Sequence, residues 1–333
     1  MGLWSNYLFD LCNLREDKIL VTGASGIIGS NLVKELISQR QDGAPKITIT
    51  TKSGILPNIG IDETKLEILK GNLLDSEFIR GLPSYKVIFH AAGYGQPARF
   101  LEDTFGTLQL NCEVTSSLLK KVSKGGRFVF FSSSEIYSGS PDVPSREEHI
   151  GTTDPYHPRA AYIEGKRVGE ALAFLARKAL GVSTTSIRIA LVYGPGTKVG
   201  DARVMNSFIS RSIQNKELEM LDMGDALRTY CYVDDAVKLI LKITTSGAEP
   251  VYNLGGTETI SIRELGAMIA EMTGAEFRLP KQNTGLKSAP SVVKLDMSKT
   301  LQLFPSTFEF TAFNDGLRQT IDWQKNELLD ARE

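Results

Sequence analysis

The 333-residue sequence predicts an α/β fold in which a doubly wound parallel sheet carries a smaller C-terminal lobe. Three observations predict it. Short apolar runs alternate with stretches of helical spacing, a glycine triplet follows the first run directly, and the alternation loosens after about residue 191.

Residues 18–22 (KILVT) are apolar and closed by glycines, which reads as a strand entering a tight turn. Leu32, Val33, Leu36 and Ile37 then recur at helical spacing, so the turn feeds a helix over 31–38. Further strands are expected at 47–51, 66–69, 87–90 and 127–132, with helices between most of them, and another at 185–191. Helices over 104–121 and 160–178 carry apolar stripes: Leu108, Leu110, Val114, Leu118 and Leu119 on one, Val168, Ala171, Leu172 and Leu175 on the other. Part of each stripe must cover the sheet. Strands alternating with helices favour a parallel sheet covered on both faces, and right-handed crossovers put a ligand at the carboxyl ends of the strands. Beyond residue 191, a helix over 204–214, the segment 218–234 and the stretch 261–323 form the smaller lobe, closing over the sheet edge. The expected boundaries are an extension at 1–17, a nucleotide-binding domain at 18–190 with about 229–256, and a substrate-binding lobe at 191–228 and 257–333. Residues 1–14 are apolar in patches, lack a basic leader and are interrupted by Asp10; they read as a short helix packed on the main domain.

With 41% hydrophobic and 23% charged residues, the composition is that of an enzyme-sized soluble protein. A net charge of −1 supplies no broad positive field, which argues against nucleic acid or an anionic membrane as partner. Cys12, Cys112 and Cys231 are odd in number and lack metal-ligand spacing, so neither a disulfide framework nor a metal site is expected, and a reducing cytoplasm fits.

The run TGASGIIG sets Gly23, Gly26 and Gly29 between strand and helix, together with Ser25, Ile27 and Ile28. Glycines there tighten the turn, admit backbone N–H groups to a pyrophosphate and let helix and strand pack closely. A dinucleotide site usually places an acid about 20 residues on, yet the second strand ends in Thr50, Thr51, Lys52 and Ser53. Lys52 and the hydroxyls suit a 2′-phosphate or plain solvated surface, so NAD and NADP both stay open. Asn72, with Leu73 after the third strand, is placed to meet the adenine.

Tyr162 and Lys166 stand four apart in a predicted helix, hence on one face, where the ammonium favours phenolate and draws the tyrosine pKa down towards that of a working base. Ser133, Ser134 and Glu135 close the fifth strand. No Ser-His-Asp order competes. His90 reads as structural, His149 and His157 as surface, Asp234 and Asp235 as caps of the next helix, and Arg188 as a partner of a phosphate or a local carboxylate.

The order TGASGIIG, HAAG (90–93), SSSEIY (132–137), YIEGK (162–166) and YGPG (193–196) resembles the extended short-chain dehydrogenase/reductase family of nucleotide-sugar epimerases, dehydratases and decarboxylases, over nearly all of 18–323. The resemblance implies a Rossmann-type domain holding a nicotinamide cofactor, NAD with NADP open, near Ala91, Ala92, Gly93 and Asn111. It implies that Tyr162 takes a proton from a sugar hydroxyl, that Lys166 bonds the nicotinamide ribose, and that Ser133 or Ser134 polarises the forming ketone. It further implies a cytoplasmic homodimer paired through the two striped helices. In the Ser134-Glu135 pair, in YIEGKR (162–167), in the loop GYGQPARF (93–100) and in Arg228, Tyr230, Tyr232 and Val233, the chain is most similar to UDP-glucuronate decarboxylases. That similarity makes the substrate a UDP-linked sugar met by Gln96, Arg99, Tyr193, Arg203 and Arg228. It gives Arg228 either the substrate carboxylate or the diphosphate to hold, and Glu135 proton handling at C5. The pattern is broken at Leu191 and Val192, where an Asn commonly precedes YGP, and at Asn206, Ser207 and Phe208, where Asn-Phe is usual. A 4-epimerase needs fewer dedicated residues and is the second reading, followed by a 4,6-dehydratase, whose usual Asp is Ser134 here, and a C4 dehydrogenase or reductase. A catalytically silent dinucleotide sensor is expected to lack Tyr162 and Lys166, and this chain keeps both.

Overall fold

The computed structural model describes residues 17–40, 43–198, 200–281 and 290–330; the helix expected over 1–14 lies outside them. The chain runs β1 (Ile19–Thr22), α1 (Ile27–Ser38), β2 (Ile47–Thr51), β3 (Leu66–Lys70), α2 (Ser76–Gly81) and β4 (Tyr85–His90). It continues through α3 (Pro97–Glu102), α4 (Thr104–Gln109), a π turn at Leu110–Val114, α5 (Thr115–Leu119), β5 (Val122–Ser133), α6 (Ala160–Leu180) and β6 (Ser183–Ile189). Then follow β7 (Val192–Tyr193), α7 (Val204–Asn215), β8 (Glu217–Glu219), β9 (Leu227–Thr229), β10 (Cys231–Tyr232), α8 (Val233–Ser246) and β11 (Val251–Leu254). Last come β12 (Thr259–Ser261), α9 (Ile262–Thr273), β13 (Glu276–Arg278), β14 (Val292–Val293), α10 (Ser298–Leu301) and α11 (Phe313–Asp330).

Seven strands form one parallel sheet in the order β11-β6-β5-β4-β1-β2-β3. The apolar runs become strands because both of their faces are covered: every residue of β1 and β2 is buried. One face packs against α1 and α8 through side chains such as Leu32, Val33, Val237 and Ile240. The other packs against α2, the α4–α5 segment and α6 through Ile79, Leu110, Leu118 and Ala173. Strand order reverses between β1 and β4, where Thr22 lies opposite both Thr50 and His90, and that switch point opens the crevice in which such sheets take ligands.

The helix expected over 104–121 is interrupted by the π turn, and β5 starts earlier than expected because its Lys124, Gly125 and Gly126 carry no apolar signal. The strand expected at 185–191 ends at Ile189; Leu191 leaves it with a φ of 30°. Asp234 and Asp235 do not cap α8. Tyr232 stands at the cap without a side-chain capping bond, and Asp235 instead accepts from the backbone N–H and hydroxyl of Thr311. Helices α7, α9 and α11 share a separate apolar cluster containing Met205, Ile209, Leu265, Ile269 and Leu317.

Candidate active site

A cleft of about 430 Å³ opens at the carboxyl ends of β1, β4 and β5. Its wall holds Gly23, Ser25, Gly26, Ile27, Ile28 and Gly29 after β1, Ala91 and Gly93 after β4, and Ser133, Ser134 and Glu135 after β5. The glycine turn lines this wall for a physical reason. Gly23 has a φ of 73°, and a Cβ on it would come within 2.6 Å of Ala91 and Ala92, so two turns meet over a residue that cannot have a side chain. A Cβ on Gly29 would stand 2.3 Å from the Gly23 carbonyl oxygen, so the third glycine seats α1 against the turn. The first turn of α1 carries no acid, and its free N–H groups suit a pyrophosphate.

Tyr162 and Lys166 project into this cleft from the first turns of α6. The Lys166 ammonium donates to the Phe131 carbonyl at 2.7 Å and lies 5.0 Å above the Phe130 ring. Burial draws its pKa down to about 8, opposed by the nearby charge of Glu170. Only one of its three donors is used among the described residues, and Gly93 keeps the space beside the ammonium free of a side chain. This buried, under-bonded cation next to a bare glycine turn fits a nicotinamide dinucleotide. The Tyr162 phenol is bonded to the Ser133 hydroxyl and its ring stacks on Phe100, with centroids 4.6 Å apart at 15°. Its pKa is raised, first by burial; the Ser133 bond and the charges of Arg159 and Arg203 pull it down, and Glu135 pushes it up. The lowered value expected from a lysine neighbour is thus corrected: in this cleft desolvation outweighs the cations.

Beyond the phenol the wall turns basic. Arg159 pairs with Glu135 at 2.6 Å, and Arg203 grips Asp201 at 2.7 Å. Burial pushes the Asp201 carboxyl up, but the Arg203 bonds and charge, with a bond from Gln96, bring it below the usual range. Arg228, on β9, donates to the Leu227 carbonyl, and its field reaches Glu135. Arg99 also lines the cleft, on the exposed side of α3. Arg159, Phe100 and Asp201 were not singled out from sequence. Arg159 lies one helical turn before Tyr162, and Asp201 two residues before Arg203; both spacings were visible signals.

Seven of the residues expected at the site do not line the cleft wall, Arg228 among them. Lys52 is exposed beyond β2, and Asn72 is exposed, its carbonyl oxygen accepting from Leu74 N–H in a local turn with Leu73 buried beside it. Ala92 turns into the apolar layer beneath α4 and α5. Asn111 is buried in the π turn, donating to Thr107, with its side-chain oxygen unpartnered. Tyr193 is a correction: it packs against Tyr232 and Phe313 and donates to the Phe313 carbonyl, because the smaller lobe needs a large apolar ring there. His90 bonds Thr22 and the Leu110 carbonyl, and burial first, then Lys166, lowers its pKa to about 3, which keeps it neutral and structural. His157 is exposed and His149 half-buried. Arg188 meets a carboxylate, that of Glu170, at 2.8 Å. No metal-ligating cluster occurs among the described residues. Nor is any described helix long and apolar enough to cross a membrane.

Residues 19–255 match the family model described as the NAD-dependent epimerase/dehydratase family. A dTDP-4-dehydro-6-deoxy-D-allose reductase from a Streptomyces species is 30% identical, across 92% of this chain and 96% of the reductase. The UDP-glucuronic acid decarboxylase 1 of Xenopus tropicalis is 28% identical, across 93% of this chain and 73% of the decarboxylase. The solved structure of an epimerase from Methanothermobacter thermautotrophicus superimposes with a TM-score of 0.84 at 20% identity, covering 99% of this chain and 98% of that one, which bears on the fold. The cofactor is NAD, and the matched span runs from the glycine turn through the Tyr-Lys helix to the last strand of the sheet. The chain therefore belongs to the NAD-dependent epimerase/dehydratase family of nucleotide-sugar enzymes.

Proposed function

We propose that this enzyme takes UDP-glucuronate, oxidises the sugar at C4 and releases its C6 carboxyl group as CO2. The observation that carries the reading is the convergence of the Tyr162 phenol, the Ser133 hydroxyl and the Glu135 carboxylate with the guanidinium groups of Arg159, Arg203 and Arg228. Such a basic rim suits a sugar that bears its own carboxylate. Arg203 and Arg159 are already paired, whereas among the described residues Arg228 makes a single bond, to a neighbouring carbonyl, which favours Arg228 as the group that holds the substrate anion. The lobe of residues 191–228 and 257–333 supplies the nucleotide-sugar side and the sheet domain the cofactor side.

The glycine turn and Lys166 would hold the cofactor, which would supply a hydride acceptor and donor for C4. Tyr162, as phenolate, takes the proton of the C4 hydroxyl, and Ser133 donates to the C4 oxygen as it becomes a carbonyl. The C6 carboxylate then stands β to a ketone. Its bond to C5 breaks, CO2 leaves, and the electron pair collects on the C4 oxygen as an enolate held by the Ser133 and Tyr162 hydroxyls. Proton return to C5 restores the ketone, with Glu135 handling that proton.

A C4 epimerase is the second reading. The observation that favours it is the Glu135–Arg159 pair, which engages the carboxylate that chemistry at C5 would use. Incubation with UDP-glucuronate and NAD, followed by mass spectrometry and NMR, separates the two: loss of one CO2 supports the decarboxylase, and unchanged mass with inverted C4 supports the epimerase. A protein whose bound cofactor ignores every nucleotide sugar is a sensor.

The exposed apolar face of α6, with Val168 and Leu175 two turns apart, and Phe105 of α4, 85% exposed, support a homodimer paired through these helices. Sedimentation analysis tests it. Cys112 and Cys231 stand as free thiols, in keeping with a cytoplasmic setting.

A further inference from the structure

We propose that Arg159 is a positioning residue of this reaction: its guanidinium clamps the Glu135 carboxylate while lying over the Phe100 ring that stacks on Tyr162, so one side chain governs both the charge and the orientation of the base. The inference rests on the reading of Tyr162 as the group that takes the sugar proton.

The geometry makes Arg159 the hub of this corner. Its backbone carbonyl accepts the N–H groups of Tyr162 and Ile163, both at 3.1 Å, so the first turn of α6 fixes arginine and tyrosine relative to one another. Its Nη2 donates to Glu135 Oε1 at 2.6 Å, and its Cζ lies 5.6 Å from the Phe100 centroid. Phe100 in turn covers the phenol ring. About a fifth of the Arg159 side chain and a quarter of the Glu135 side chain remain exposed, so the pair is felt more strongly than a surface ion pair. Arg159 Nε is buried without a partner, a donor left over by the present contacts.

The consequence is electrostatic. Glu135 opposes ionisation of Tyr162 and Arg159 favours it, so the pair sets two opposing charges against the phenol. Facing Tyr162 are Ser133 and Glu135 from the segment after β5, Arg159 and Lys166 from α6, and Arg203 from the loop before α7. Facing Glu135 are Arg159, the Ser138 hydroxyl at 3.2 Å and, at longer range, Arg228. Arg203 is held by Asp201, and Arg228 by the Leu227 carbonyl, so neither stands in contact with Glu135.

The test is a tyrosinate absorbance titration of the NAD-loaded protein, with the Tyr162→Phe signal subtracted so that only Tyr162 is read. Arg159→Gln should raise its midpoint by about one pH unit, roughly tenfold less phenolate at fixed pH. Arg159→Lys, which keeps the charge, should raise it less, and the double variant Glu135→Gln/Arg159→Gln should return towards wild type. The kcat profile of Arg159→Gln should move to higher pH by a matching amount, with KM changing less. An unmoved midpoint in folded Arg159→Gln, or a double variant shifted as far as the single one, overturns the proposal. Should Arg159→Gln fail to fold, Arg159→Met, which removes the charge but keeps an apolar stem over Phe100, replaces it, and an unmoved midpoint in that variant overturns the proposal equally. An active wild type with an unmoved titration removes the role of Arg159 alone. A wild type inert towards every nucleotide sugar, with a moved titration, removes the catalytic reading alone.

Discussion

An ammonium shut into a protein interior costs stability, and Lys166 accepts that cost at 5% exposure. Its pKa of about 8 against an unfolded value of 10.5 fixes the pH dependence. Below pH 8 both states bind the proton and the folded state carries the whole penalty, roughly 3 kcal/mol. Between pH 8 and 10.5 the unfolded chain still binds it while the folded one does not, so stability rises with pH across that window. Lys166→Met should therefore melt no lower than wild type at pH 7 despite losing the bond to Phe131, and this margin should shrink as scans move from pH 8 to 10; a margin independent of pH contradicts the buried-cation account. Leu191 presents a second strain, with φ at 30° at the cleft wall, a conformation that Asn tolerates better than Leu. Leu191→Asn should hold or raise stability, by up to about 1 kcal/mol, as read by urea unfolding. The placement of Tyr162, Lys166 and the glycines on one cleft was legible because it follows from residue type and spacing. Arg159 was legible only in its helical spacing from Tyr162; its ion pair with Glu135, and the stack of Phe100 on Tyr162, were not.

At the scale of elements, α6 carries the proposed base and part of the core together. Below Lys166, Glu170 accepts from Ser132 and from Arg188, which also donates to Tyr137, and Tyr137 donates to Asn253. The chain of bonds ties α6 to β5, β6 and β11, so the helix that aims the base is anchored to the sheet by a buried ion pair. Glu170→Ala strands a guanidinium that is 5% exposed, and the expected loss is about 3–5 kcal/mol in a denaturant titration, accompanied by a further fall in the Lys166 pKa. Gly29→Ala is expected to cost NAD affinity as well as stability, because the added carbon would sit 2.3 Å from a backbone oxygen that cannot move without opening the turn; calorimetry of NAD binding checks it. Strand positions were readable from apolar runs with both faces buried, whereas the π turn within the α4–α5 segment was not, since one inserted residue leaves the apolar stripe nearly intact.

At the scale of the molecule, the switch point between β1 and β4 gathers what the sequence scatters over more than 180 residues. The smaller lobe was less legible than the sheet: its strands are two or three residues long, and Tyr193, read as a substrate contact, serves instead as core between β7, β10 and α11. What unites both parts is the claim that the Tyr162 phenol removes a proton from a sugar alcohol beside bound NAD. The most direct measurement mixes the NAD-loaded enzyme with UDP-glucuronate and follows nicotinamide absorbance in a single turnover, wild type against Tyr162→Phe. Reduction in the wild type, slowed by on the order of 10³-fold in the variant while NAD binds both equally, is the expected result. A variant that reduces its cofactor at the wild-type rate contradicts the claim.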